Sequence, residues 1–505
     1  MPDRQKPGVV RELGMSVPEP STVVAIRRVL TRWGRGWTTA WVVAVMLAGL
    51  AAPIAGAATA PASAPSSRIT GPVVGGVHGR PYGSSLVNLR PWRYSEEEYF
   101  ASGTADGGGS TAIPTPSTGS GPAGYRTRIL VRRPVAPAAF NGTVMVEWLN
   151  VSSSQDYDAD WSEGYRELVR GGYAYVGVSA QQIGVQSLKD WDPLRYRSLQ
   201  HPGDGYAASI YAQVLQAVRH PNGKDPFAGL RIRRVVADGH SQSGINLHAF
   251  VDTVQARAHL ADGFLIRGDA TTNFDFAHLH TPVLQYQSEA ELAGPVGSLQ
   301  QRAQHVPPSP DSTFYRLWQI AGSTHTGQEG ADYLFATLRR DYANQSPAWD
   351  ERSEGRYDGR GGGVCPSSLG IGALDQFPQW YTLDSAIHTL NSWIANGDVP
   401  ATAPRMAVDR EGHIQRDQHH NAIGGVRDPV VDVPIATYHG DEGCPLSGVT
   451  LPFKADTLAS LYPTHADYVA AIRSAVARAE TAGWLQPYDA RDLLARAERL
   501  TVGGR

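Results

Sequence analysis

Residues 230–250, LRIRRVVADGHSQSGINLHAF, pass from a strand pattern into a helical one through the hexapeptide GHSQSG at 239–244. A strand that turns at once into a helix around a serine has the layout of a nucleophile elbow. Its pattern, GxSxG, needs small residues two places before and two after the serine, because the sharp turn brings them together. This stretch departs by one letter, with Ser243 where the closing glycine belongs. If Ser241 is the nucleophile, the flanks are Gly239 and Ser243, both small. If Ser243 is, they are Ser241 and Ile245, and a β-branched side chain collides. The steric rule favours Ser241 and leaves Ser243 as a small stand-in near the first turn of the helix. A serine after a strand is also an ordinary helix N-cap, so the assignment leans on the rest of the chain.

On either side of the elbow, strand and helix patterns alternate. GTVMVEW from Gly142 is a buried strand by its apolar run, and YRTRILVRRP from Tyr125 alternates like a half-exposed one. WSEGYRELVRGG sets Trp161, Tyr165, Leu168 and Val169 on one helical face, and Gly171 and Gly172 supply a left-handed stop. YAYVGVSAQ is a strand, and YAASIYAQVLQAVRHP has the apolar spacing of an amphipathic helix ended by Pro221. GFLIRG, TPVLQYQS and FYRLWQIAG after the elbow are further strands. Alternation of this length predicts an α/β fold with a mostly parallel sheet and helices on both faces. Sites in such sheets lie at the carboxyl ends of the strands.

A serine triad of this layout continues with an acid and then a histidine, each on a loop after a later strand. After TPVLQYQ comes SEAEL, which offers Glu289 and Glu291; after FYRLWQIAG comes STHTG, which offers His325. The oxyanion hole needs two backbone N–H groups. Gln242, next to the nucleophile, supplies one; the loop after GTVMVEW supplies the other through Leu149, Asn150 or Val151, with Asn150 chosen.

Other motifs are weaker. DYDAD (156–160) with Glu167 has part of a calcium-loop spacing, but Trp161 occupies the position that needs a glycine turn, so these acids are expected to cap the next helix. HIQRDQHHN from His413 gathers three histidines and Asp417 without regular ligand spacing, and no metal is assigned. DGRGGG from Asp358 lacks a strand before it and a Lys-Ser/Thr after it, so it is a loop and not a phosphate cradle. The stretch from Gly103 to Gly124 reads as a surface loop.

Lys and Arg number 45 against 48 Asp and Glu, a net charge of -3. That excludes a basic field for nucleic acid and suits a small neutral substrate. The basic run Arg27, Arg28, Arg32 and Arg35, the apolar core WTTAWVVAVMLAGLAAPIAG and the small residues Ala55 to Ala57 compose a secretory signal over 1–57. Met15 is an alternative start, and an uncleaved anchor the alternative reading of the apolar run, which Pro53 interrupts. No stable membrane span is expected after cleavage. A linker over 58–70 follows. In an oxidising compartment the two cysteines, Cys365 and Cys444, are expected to pair; two buried free thiols are the alternative.

TGPVVGG, GTVMVEWLNVS, GHSQSG, TPVLQYQSEAEL, RLWQIAGSTH, HHNAIGGVRDPVVDVPIATY and LYPTHADYVAAI together resemble the exported bacterial proteins described as alpha/beta hydrolase domain proteins. The resemblance implies the alpha/beta-hydrolase fold and a serine hydrolase that cleaves small-molecule esters without a cofactor. It supports Ser241 and His325. By likeness to hydrolases whose acid loop ends on the catalytic residue, it favours Glu291, with Glu289 the alternative acid. It also implies a core over 71–327. Residues 328–505 then hold an excursion bearing Cys365, a final core helix near 383–396, and an extension that wraps back to shape the substrate pocket. Amidase or acyltransferase action would use the same triad, and a non-catalytic exported binding protein on this fold is the reading from another class. Oligomeric state is not legible.

Overall fold

The computed structural model describes residues 65–107, 121–272, 274–275, 279–292, 309–342, 365–444 and 446–502. The signal, most of the expected linker and the DGRGGG stretch lie outside these residues.

One sheet organises the chain: β1 (Arg68–Thr70), β2 (Tyr94–Asp106), β3 (Pro122–Pro134), β4 (Thr143–Trp148), β5 (Ala174–Val178), β6 (Asn222–Gly223), β7 (Arg234–His240), β8 (Gly263–Arg267), β9 (Val283–Gln287) and β10 (Tyr315–Gln319). Their order is β10-β9-β8-β7-β4-β5-β3-β2-β1-β6. From β10 to β5 all neighbours are parallel. β3, β2 and β1 join antiparallel at one side. The helices that matter for the site are α1 (Ala159–Arg170), α2 (Gln182–Trp191), α3 (Ala207–Arg219), α4 (Gln242–Phe250), α5 (Glu289–Leu292), α6 (Gln328–Asp341) and α7 (Trp380–Asn396). A small hairpin, β11 (Cys365–Ser367) and β12 (Gly370–Gly372), and a larger one, β13 (Ala436–Cys444) and β14 (Gly448–Pro452), follow the pattern of the tail, which ends in α8 (His465–Ala482) and α9 (Pro487–Arg499).

Successive strand residues point to opposite faces, so a strand buried on both faces must be apolar throughout. In β4, Val144 and Val146 enter one core with Tyr211 and Leu215 of α3 and Leu247 and Phe250 of α4. Met145 enters the other, with Trp161 and Leu168 of α1 and Leu383 and Ile387 of α7. β7 and β8 divide the same way, Ala237 and Ile266 against Val236 and Leu265. Helix α7, read in sequence as a final helix, lies on α1, β8 and β9. The two terminal helices and Tyr381, Val433 and Tyr462 form a separate small core. Cys365 and Cys444 are joined in a disulfide that ties β11 to the end of β13. Among the described residues no helix is long and apolar enough to cross a membrane.

Several local expectations are corrected. β3 is buried along most of its length, where alternation predicted a half-exposed strand. Arg128 and Arg132 within it are buried and pair with Asp156 and with Glu96 and Asp158. Those partners explain the DYDAD acids too: Asp158 makes no side-chain cap bond to α1, while Asp160 binds Arg267. The N–H groups of Asp160 and Trp161 at the start of α1 are taken by the Glu147 carboxylate from β4, both at 3.1 Å. Of the loop expected from Gly103 to Gly124, residues 103–106 and 122–124 are strand instead, because β2 and β3 pair along their full length; 108–120 lie outside the described residues. Arg68–Thr70, inside the expected linker, pairs with β2. At the end of α1, Gly171 is right-handed and the left-handed residue is Gly172, φ +74, where a Cβ would meet Ala139 O at 2.2 Å.

Candidate active site

β7 ends in His240 and α4 begins at Gln242, so Ser241 alone makes the turn between them. Its backbone has φ +62 and ψ -124, a region that residues with a side chain seldom occupy and that usually marks a functional constraint. Its N–H donates to Arg267 O at the end of β8 at 2.9 Å. The turn is tight: a Cβ on Gly239 would lie 3.0 Å from Ser243 O, and one on Gly244 would lie 2.3 Å from Arg267 O. Ser243 is wholly buried at 0% exposure, and its Oγ has no hydrogen-bond partner among the described residues.

Ser241 Oγ donates to His325 Nε2 at 2.8 Å. His325 Nδ1 donates to Glu291 Oε1 at 2.5 Å. Glu291 Oε2 also accepts from the Ser288 N–H and hydroxyl, both at 2.6 Å. Burial pushes the Glu291 carboxyl up, but His325 and the two Ser288 donors outweigh it and hold it below its ordinary value. The structure thus brings Ser241, His325 and Glu291 into one bonded line. It turns Glu289 elsewhere: Glu289 binds Gly322 N, Gly440 N and Arg416.

Gln242, the first residue of α4, has an N–H with no acceptor inside the helix. Asn150 is a correction. Its N–H donates to Tyr157 O at 3.0 Å, and the Leu149 N–H to Val178 O at 3.2 Å, so neither amide is open to an oxyanion. Of the three loop residues considered, Val151 is the one whose N–H takes no acceptor among the described residues. Asn150 braces the elbow instead, its Nδ2 donating to His240 O at 3.0 Å.

His240 carries a contact the sequence gave no hint of. Its ring lies 4.7 Å from that of His325. Burial, then Arg267 and His325, push its pKa well down, which keeps it neutral. Gly268, at φ +63, makes room for both rings: a Cβ there would be 2.8 Å from His240 Cδ2 and 2.9 Å from His325 Cε1.

Two other titratable clusters make no side-chain hydrogen bond to Ser241 among the described residues. His248 Nδ1 and Asp269 Oδ2 are 2.7 Å apart, with Phe274 stacked on the imidazole. Glu147, Asp160 and Asp238 have carboxylate oxygens within 4.8 Å of one another. Glu147 already accepts from two N–H groups and from Tyr175 Oη, and Asp160 from Arg267. Burial first, then mutual repulsion, raises the Glu147 and Asp238 carboxyls, favouring protonated forms over a charged cage. In the histidine-rich stretch, Asp417 binds Arg427 and caps its own turn through the N–H groups of His419 and Asn421.

The family described as alpha/beta hydrolase domain matches residues 69–495. No curated protein matches the chain. Solved structures similar to it include a dienelactone hydrolase from Anabaena variabilis, at 18% identity over 42% of this chain and 89% of that one, TM-score 0.27. Another is an alpha/beta serine hydrolase without a lid from Xanthomonas campestris, at 16% identity over 50% and 97%, TM-score 0.27. A third is a glucuronoyl esterase from Teredinibacter turnerae, at 11% identity over 65% and 87%, TM-score 0.27. None of the three carries a residue role over to this chain.

Proposed function

This chain belongs to the alpha/beta hydrolase domain family, and from that premise we propose that it is a serine hydrolase that cleaves carboxylic esters through an acyl-enzyme. The observation that carries the reading is the Ser241–His325–Glu291 line, built on a serine held at positive φ. Ser241 Oγ attacks the ester carbonyl while His325 Nε2 takes its proton, and the same nitrogen then gives that proton to the leaving alcohol. Glu291 keeps the proton of Nδ1 on its own side, so Nε2 faces the serine as the acceptor, and it stabilises the imidazolium that forms. The Gln242 N–H, with the Val151 N–H, receives the oxyanion. Water repeats the sequence on the acyl-enzyme. None of these steps calls for a metal or cofactor.

The substrate class is a small-molecule ester. Export is part of the same proposal: the basic and apolar N-terminal run and the Cys365–Cys444 disulfide both suit an oxidising compartment. A fluorophosphonate probe tests the nucleophile. Ser241→Ala is expected to lose labelling and p-nitrophenyl ester turnover, and Ser243→Ala to keep both. Labelling that survives Ser241→Ala and vanishes in Ser243→Ala reverses the assignment. A folded wild-type protein that never labels returns the chain to the binding-protein reading.

A further inference from the structure

We propose that Glu289, clamped by Arg416, is a positioning residue of the reaction, through which the C-terminal hairpin β13–β14 sets the place of His325 against Ser241. The proposal rests on the serine-hydrolase reading above. Glu289 touches neither Ser241 nor the His325 ring in any hydrogen bond among the described residues; what it holds is the backbone that leads into His325. Its Oε1 accepts from Gly322 N at 2.6 Å, and its own N–H donates to Ser323 O at 3.2 Å. Its Oε2 accepts from Gly440 N at 3.1 Å and from Arg416 Nη2 at 2.8 Å. One wholly buried carboxylate therefore joins the turn before the histidine to the hairpin more than a hundred residues later in the chain.

Arg416 is the cationic partner of that buried carboxylate. An isolated buried carboxylate is strongly disfavoured, and removing one partner of a buried pair leaves the other uncompensated. Arg416 Nη2 also binds Asp441 Oδ1, at 2.5 Å, so the arginine sits between the acid of α5 and the hairpin. Arg416 comes from the histidine-rich stretch that sequence motifs set aside.

The hairpin then grips both neighbours of His325. Thr324 Oγ1 reaches Gly440 O at 3.0 Å and Leu446 O at 3.1 Å. Thr326 N donates to Leu446 O at 2.8 Å. The fit allows no side chain at 440: a Cβ there would be 1.8 Å from Ser323 O and 3.1 Å from Glu289 Cβ. In the turn that follows β10, Ala321 N donates to Val426 O at 3.0 Å. Four hydrogen bonds to three tail residues, Val426, Gly440 and Leu446, thus fix the segment 321–326. A misplacement of about 1 Å in such a loop is enough to lower turnover about a hundredfold.

The test uses the full chain and p-nitrophenyl acetate, with Glu289→Gln and Arg416→Gln each made alone and in a His325→Ala background. Glu289→Gln is expected to lower kcat about 10- to 100-fold with KM within about threefold, and Arg416→Gln to act in the same direction but less. A residue that works through His325 has nothing to act on once the histidine is gone. In the His325→Ala background, Glu289→Gln should therefore change the residual turnover by less than about twofold. Wild-type kcat in Glu289→Gln overturns the proposal, as does an equal loss in both backgrounds, which marks general structural damage. If Glu289→Gln gives no cooperative melt, Arg416→Gln is judged by the same two comparisons. The premise fails separately: a Ser241→Ala protein with wild-type turnover sinks the hydrolase reading, whereas an inactive Ser241→Ala beside a fully active Glu289→Gln sinks only the positioning role.

Discussion

The turn at Ser241 is shaped mainly by its neighbours in sequence, with Arg267 and Asn150 bracing it, while the loop that carries His325 is bonded to residues from the far end of the chain. On the serine side, β7 and α4 meet at one strained residue, and Gly239, Ser243 and Gly244 are small because the turn and the end of β8 leave no room. On the histidine side, the strand simply ends, and the loop that follows is shaped by Glu289, Arg416, Gly440 and Leu446. A turn that stores strain has to encode it locally. A loop without regular structure can borrow its shape from whatever packs on it, and here it borrows from the tail.

The largest effect expected on this contrast is at the acid. On the proposed mechanism Glu291→Gln lowers kcat about ten-thousand-fold, as loss of the carboxylate leaves the imidazole with the wrong tautomer. The same variant changes the pH dependence of stability. The Glu291 carboxyl is held below its ordinary value in the fold, so its stabilising contribution is present above the unfolded pKa and is lost as pH falls through the lower, folded one. Melting scans from pH 7 to pH 3 should show a shallower acid decline in Glu291→Gln than in the wild type. An unchanged decline would mean that the pair with His325 does not stabilise the carboxylate.

Gly440→Ala comes next and sets the two sides against each other directly. It is expected to lower kcat about a hundredfold by displacing the His325 loop, although it lies in no strand of the main sheet. Steady-state kinetics that put the loss in KM, or find none, would show that the hairpin does not set the histidine.

The disulfide should matter least for turnover and more for endurance. It closes a loop of 79 residues in sequence; constraint of the unfolded chain on that scale is worth about 4 kcal/mol. A Cys365→Ser, Cys444→Ser double variant should melt several degrees lower yet keep kcat at 25 °C within about fivefold of wild type, because Thr324, Thr326 and Glu289 still hold the loop. A far larger fall in kcat with an unmoved melting point would make the disulfide, rather than Glu289, the main clamp.

Much of this was legible in the sequence, for identifiable reasons. Strand and helix order followed from apolar period, since β4, β7 and β8 are buried on two faces and the apolar residues of α1 and α3 recur at helical spacing. The elbow followed from sterics. The half-exposed reading of β3 misled because alternation reports which face a residue takes, not whether that face meets water, and here Asp156 and Asp158 pair with Arg128 and Arg132 on it. Asn150 misled because choosing an oxyanion donor requires knowing which amides are already bonded, and the bridge to Tyr157 has no sequence signal. Likeness to other acid loops favoured Glu291 over Glu289; in the structure their partners, Arg416 for Glu289 and His325 for Glu291, separate them. Arg416 itself could not be found, because a single arginine in an irregular segment looks the same whether it meets solvent or a buried acid.

The bonds by which the tail holds 321–326, and the Arg416 clamp on Glu289, also put the molecule on a clock. A ribosome builds from the amino end, so the elbow serine exists long before Arg416, Val426, Gly440 and Leu446 have been made. A nascent chain can fold its early strands as they emerge, yet on the proposed mechanism its serine has no aligned base until the last of those contacts docks. An unfinished or truncated chain is then inert toward esters, and hydrolytic competence comes late in the life of the polypeptide, as one of its final acts of folding.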